Sequence, residues 1–552
     1  MEDKRTLVAF LIIGVIIVLM PYYLEWLGVS KPASSEPAVA GDTKPTSTQG
    51  SISAPALIAA PLLAATTDKQ DSSASFVPRD IVVTTPLQQL TFSSAGGILT
   101  SAKLPKFARA SSNPLVNGRS LVELVPEGGR GFVLTISQGE QTTDLSATEF
   151  APDHELIALQ TGQQATLRLV AHLPGNKTVE KVLRFDADRY GIETEINYAG
   201  FSEDTELFLG WEGGIARTEK SEETDVSEMR GIAFMNEDLT ERTLASDENE
   251  TKWDDKGLVK LLGVRNKYFL SALAPLSEGQ FKAVLLGNHS GVTVPNFTYR
   301  LGARLGQSGQ WKNLFYLGPL DYEGLSSYQK ELERAMNLGW PVIRQLSALL
   351  MVVFVATYSF VPNYGWVIVL FATAIKALVY PLSQKSFESA AKMQLLQPKL
   401  LALKEKFKND PQRLSRETMK LYQEGGVNPL GGCLPMVLQM PIFFALYNVF
   451  SNTIELRQAP FLFWIQDLSV PDEILIAGFG LHVLPLLMAV AMFFQQKMTM
   501  TDPKQAALVY LMPVMMVFIF WSLSSGLVLY WTVFNVLSIA QQALTARQGK
   551  VA

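Results

Sequence analysis

The chain predicts a polytopic α-helical membrane protein that carries a large all-β domain outside the cytoplasm. Three observations point there. Of its 552 residues 48% are apolar, and the excess is concentrated at the start and in the last two hundred positions. Between them, residues 76–319 carry short alternating runs rather than helical periodicity. Finally, Lys376 sits inside the apolar run 364–382, which is long enough to cross a bilayer. A charge at that depth costs roughly 3 kcal/mol on insertion scales, so it faces water or a partner inside a helix bundle. The competing reading has Lys376 snorkel to the nearer interface, since Pro381 follows soon after.

Residues 1–27 place Lys4 and Arg5 before an apolar run to Met20, and Pro21, Tyr22, Tyr23 and Trp26 follow directly. With no small-residue cleavage pair near the end of the run, this reads as an uncleaved anchor with an aromatic belt and a cytoplasmic amino end. Residues 28–75 are rich in Ser, Ala, Pro and Thr and read as a flexible linker. The segments 166–171, 190–198, 281–286 and 314–318 alternate with period 2 and are separated by Gly, Asn, Asp and Pro. They predict an antiparallel sandwich. Residues 322–336 read as a helix.

Charge then orders the spans. The loop 384–428 carries nine cations against five acids and belongs in the cytoplasm. Two crossings before it would put it outside, so only one of the runs 346–361 and 364–382 spans. The first, introduced by Trp340, Pro341 and Arg344, is expected to lie in the interface as an amphipathic segment. Further spans fall near 430–450, 478–496, 506–523 and 525–545. Acid-rich 451–477 lies outside, while Lys497, Lys504, Arg547 and Lys550 mark cytoplasmic ends. The sum is six crossings with both termini in the cytoplasm.

Counting along the spans places Lys376 roughly 20 Å from the external face and Gln439 roughly 14 Å from the cytoplasmic one, with Asn535 at a similar level. In the last helix Thr532, Asn535, Ser538 and Gln542 fall on one stripe at 3.6-residue spacing. Such a stripe lines a cavity, or it hydrogen-bonds neighbouring helices and caps its own backbone. Both readings stand at this point. The cytoplasmic loop reads as a helical hairpin with Pro398 bending its first arm. Asp410 caps the second arm, Pro411 opens it and Gly425-Gly426 ends it. Cys433 is the only cysteine, so no intrachain disulfide and no zinc or iron–sulfur ligand set is available. No GxxxxGK[ST] phosphate loop occurs. No nucleotide, cofactor, metal or enzymatic activity is expected.

The stretch 428–447 (NPLGGCLPMVLQMPIFFALY), the motifs at 455–461 (ELRQAPF) and 464–469 (WIQDLS), and 525–531 (SGLVLYW) with Asn535 closely resemble the YidC-type membrane protein insertases. The resemblance covers 340–545. It implies that five of the six helices form the family's bundle, and that the β-domain is the periplasmic supersandwich of Gram-negative members. It also implies insertion and folding of nascent inner-membrane proteins, alone or beside the Sec translocon and its accessory subunits. The site is then a hydrophilic groove holding Lys376, Gln439, Trp531, Thr532, Asn535 and Ser538. Its apolar client slide comprises Met436, Met440, Phe443, Phe444, Met515 and Phe518. Lysine at position 376 replaces the family's arginine, keeping the charge and losing the bidentate fork. The tail holds only Arg547 and Lys550, which leaves any ribosome contact to the cytoplasmic loops. Membrane lipids complete the expected partners. The alternative function is an anion transporter or channel with Lys376 as its binding site.

Overall fold

A computed structural model describes residues 76–109, 120–139, 141–221, 227–243, 250–288, 296–426, 434–476, 479–499 and 506–548. The expected anchor at 1–27, the linker at 28–75, Cys433 and the tail beyond 548 lie outside the described residues.

Each of the alternating segments folds as a strand: Gln164–Leu173, Gly191–Ala199, Phe281–Asn288 and Ser308–Pro319. Among the described residues the strands join into an eleven-stranded and a nine-stranded sheet. Pairing is antiparallel apart from Asp80–Thr84 against Leu156–Ala158. In Phe281–Asn288 every second residue is buried, the signature of one packed face. The end of Ser308–Pro319 is buried on both faces. Phe315 and Leu317 point into the core between the sheets, while Leu314 and Tyr316 join a second cluster that runs into the helices. A near-continuous apolar run is what a strand covered on both sides requires. Phe132 stacks on Phe315 with ring centroids 4.0 Å apart.

A lysine is buried inside this sandwich. Lys181, on strand Lys177–Asp186, is 0% exposed. Its Nζ donates to the carbonyls of Gly96 (2.7 Å), Gly97 (2.9 Å) and Phe132 (2.7 Å). All three ammonium protons are thereby used.

The helix expected over 322–336 is broken into an α-helical turn, Tyr322–Ser326, and a 3-10 turn, Leu332–Ala335. Gln329 and Glu331 between them are left-handed. Packing overrides propensity here. Leu325, Leu332, Ala335 and Met336 are buried in the cluster that also holds Phe234 and Leu270 of the nine-stranded sheet, and Lys260 on that sheet bonds Glu331.

Seven longer helices follow among the described residues: α1 (Pro341–Tyr358), α2 (Tyr364–Lys406), α3 (Pro411–Glu424), α4 (Leu434–Asn452), α5 (Val483–Thr499), α6 (Ala506–Phe520) and α7 (Ser525–Gln548). The run 346–361 falls largely within α1. In α1 Ile343, Leu350, Met351 and Phe354 are buried, but Val342, Leu349 and Val352 on the exposed side are equally apolar. By length and composition α1, the first part of α2 and α7 are each apolar enough to cross a membrane. Helix α2 runs on from the apolar span into the first arm of the hairpin, 43 residues in all, with Pro381 and Pro398 inside it. The hairpin's second arm is as expected. Asp410 accepts from Arg413 N (3.0 Å), Pro411 is the first helical residue, and Gly426 past the end has φ +62°. The loop 453–470 presses on the start of α2, where Phe461 packs over Gly365 and leaves no room for a Cβ.

Candidate functional site: a polar seam in the helix bundle

The rotation of α7 decides which of its side chains face inward, and the loop 453–473 anchors its start. Ser525 N donates to Val470 O (2.8 Å), Gly526 N to Leu468 O (2.9 Å) and Ser525 Oγ to Asp467 O (2.8 Å). First-turn donors that lack intrahelical acceptors are thus satisfied by that loop. Buried Asp472 does the same for α5, accepting from Val483 N and Leu484 N while also holding Trp464 Nε1. The loop is itself tied to the β-domain. Arg457, in the ELRQAPF motif, donates to Glu219 Oε1 (2.8 Å), Thr218 O (3.0 Å) and Ala108 O (2.8 Å). Next to it, burial pushes the Glu455 carboxyl up to about 7.

So anchored, α7 packs along α2 and presents a row of polar groups to it. Lys376 is 7% exposed and donates from Nζ to Ser538 Oγ at 2.7 Å. The amine lies 4.8 Å from the Phe534 ring centroid and 5.6 Å from that of Phe387. Phe387 is eleven residues further along α2, about 16 Å of rise. The side chain therefore extends towards the carboxyl-terminal half of α2, the direction of snorkelling, yet it ends inside the bundle. One and two turns on, Gln541 Nε2 donates to Tyr380 O (3.4 Å) and Thr545 Oγ1 to Gln384 Oε1 (3.0 Å). Positions 376, 380 and 384 on α2 thus meet 538, 541 and 545 on α7. Gln384, Gln541 and Thr545 were not among the expected groove residues. Their spacing carried the signal, but the partner helix and its register did not follow from it.

The other groove residues separate into two kinds. Thr532 Oγ1 donates to Val528 O within its own helix (2.8 Å), and Ser538 Oγ likewise to Phe534 O (2.8 Å). These bonds are the backbone capping that sequence left open. By contrast, Trp531 Nε1 and Asn535 Nδ2 are buried with no hydrogen-bond partner among the described residues, while the Gln439 amide lies beside the Tyr530 hydroxyl. Phe443 meets the Trp531 ring edge-on at 5.2 Å, which joins α4 to α7. Gln439 lies one turn from Phe443, and Asn535 one turn from Trp531. Two buried donors without acceptors in one part of a bundle mark a place suited to polar guests.

The expected client slide is split. Met440, Met515 and Phe518 are 42%, 43% and 76% exposed. Phe443 and Phe444 are half-buried in an aromatic group with Trp340 and Trp531, and so form wall rather than open surface. The side chain of Met436 lies outside the described residues. In the β-domain His154 and His172 are exposed, and His289 lies outside the described residues. No cluster of three metal-ligating side chains occurs among the described residues.

Comparison with known proteins agrees with this architecture in both halves. The family described as "YidC periplasmic domain" matches residues 80–350, and the family described as "60Kd inner membrane protein" matches 356–551. The membrane protein insertase YidC of Chlorobium phaeovibrioides is 36% identical over 492 residues, covering 85% of this chain and 84% of its own. That of Oleidesulfovibrio alaskensis is 33% identical over 566 residues, covering 98% and 99%. A crystal structure of an active YidC insertase aligns over 84% of this chain and 92% of its own, at 19% identity and a TM-score of 0.36. These matches lend no support to an anion transporter or channel. Insertases of this kind are not an enzyme family, and the names of the two matched families describe an inner-membrane protein with a periplasmic domain. Matched over both halves and more than a third identical to a relative across most of both chains, this chain belongs to the YidC family of membrane protein insertases.

Proposed function

We propose that the chain inserts and folds nascent inner-membrane proteins by receiving the polar flank of a client between α2, α4 and α7. The guest lies beside Lys376, Gln439, Trp531, Asn535 and Ser538. The observation that carries this reading is Lys376, buried in the bundle with a single side-chain hydrogen bond and no carboxylate partner among the described residues.

The magnitudes fit. A client span of twenty apolar residues gains roughly 6–12 kcal/mol at about 0.3–0.6 per residue, while one acidic residue at the bilayer centre costs roughly 3. Insertion is downhill without a nucleotide, so the flank sets the barrier. A cation about 4 Å from that carboxylate contributes roughly 4 kcal/mol at an effective dielectric of 20, enough to offset the cost. The apolar stretch then moves into lipid along exposed Met440, Met515 and Phe518, whose soft or flat side chains suit varied clients.

The loop charges support six crossings, with both termini in the cytoplasm and the β-domain in the periplasm. Helix α1 then lies in the outer interface with its buried side packed on α4 and α2. The basic hairpin formed by the end of α2 and by α3 is the surface for ribosome contact, and the β-domain serves docking to the Sec translocon or its accessory subunits. The test is Lys376→Arg, Lys376→Ala and Lys376→Glu in a client insertion assay. Arg should retain activity, and Glu should lose it for clients with acidic translocated segments. Equal activity in all three removes the electrostatic step.

A further inference from the structure

A cavity of about 1210 Å3 opens between the external ends of α4 and α7, the loop 464–473 and the β-domain. It lies on the line of the polar seam. Asn448 on its wall is nine residues from Gln439 along α4, about 13 Å of rise, and Ser524 precedes Trp531 by seven. Its chemistry is unlike that of a small-molecule pocket, which is typically about 300–1,000 Å3 and mostly apolar. Amides and hydroxyls such as Asn448, Ser451, Gln466 and Ser524 line it. Three cations and five acids share its wall, a balance that disfavours an anionic lipid headgroup. Ser524 Oγ is buried without a hydrogen-bond partner among the described residues. The wall is also held in place, since Asp472 is committed to the α5 start and Trp464, and Lys267 Nζ reaches Ser469 O (3.4 Å). A wall rich in both donors and acceptors fits an extended backbone, whose every N–H and C=O needs a partner.

We propose that this cavity is a vestibule that takes up the translocated hydrophilic stretch of the client as an extended peptide once it has passed the seam. The proposal rests on the insertase reading above. The test uses the full chain in membrane vesicles with a photocrosslinking residue placed singly at Ser451, Gln466, Met440 or, as control, exposed Leu156. Clients are arrested at increasing lengths. Met440 should capture the client at short lengths, and Ser451 and Gln466 at longer ones, at least tenfold above Leu156. Capture at Met440 with silence at Ser451 and Gln466 overturns the vestibule alone. Capture of phospholipid or of another membrane protein at those two positions also overturns it. Silence at all positions sinks the client path through the bundle and the vestibule with it.

Discussion

Two lysines lie buried among the described residues, and their surroundings differ in one decisive respect. Lys181 in the β-sandwich gives all three ammonium protons to backbone carbonyls. Lys376 in the helix bundle has one hydrogen bond, to Ser538 Oγ, and two aromatic faces nearby. A saturated buried cation ties strands together and has nothing left to offer. One with spare donors is costly to keep and is available to a guest. The contrast separates a structural charge from a working one without any appeal to where each sits in the chain.

Removing both amines tests that contrast. Lys181→Met orphans three buried carbonyls, each worth about 1–3 kcal/mol, so the β-domain should lose at least ~3 kcal/mol. Thermal unfolding of the detergent-solubilised full chain reads this, and an unchanged midpoint would remove Lys181 as a strut. Lys376→Met should change stability by less than about 1 kcal/mol, because the lost bond is balanced by the relieved burial of a charge. Insertion of acidic-flanked clients should nonetheless fall at least tenfold in the same preparation. A large stability loss with normal insertion would make Lys376 a second Lys181.

Smaller effects sharpen the boundary. Glu455 is half-buried, and desolvation raises its carboxyl to about 7. The unfolded chain loses that proton near pH 4.5, so stability should decline as pH rises from about 4.5 to about 7. Glu455→Gln should flatten that part of the pH profile, and an unaltered slope would show that the carboxyl is solvated. Ser538→Ala leaves the amine without its acceptor and should lower insertion a few-fold, read as rate per folded molecule. At the small end, Thr545→Val removes the bond to Gln384 and should cost about 1 kcal/mol by denaturant unfolding. If it also abolished insertion, the lower seam would be part of the path rather than a helix fastener.

Much of the site was legible because single residues carried large energies. A lysine in a bilayer span is too costly to be incidental, and the asymmetry of nine cations to five acids on 384–428 ordered the topology argument. The caps at Asp410 and Gly426 were equally clear, since each satisfies backbone groups next to it in sequence. What failed was longer-ranged. The helix expected over 322–336 gave way to two short turns that fit the outer face of a sheet. Phe444 and Phe443 meet Trp340 and Trp531, distant in sequence, edge-on, a contact that no local pattern encodes.

By itself the amino-acid order determined the class of architecture, the β-domain strands, the apolar spans and the identity of the buried cation. Hydrophobic period and the cost of burying charge act over a few residues and can be read locally. Only the tertiary structure decided that 376, 380 and 384 meet 538, 541 and 545, and that Arg457 fastens the external loop to the β-domain. Which faces two helices share depends on rotation and offset set by anchors far away in the chain, and no local pattern encodes those.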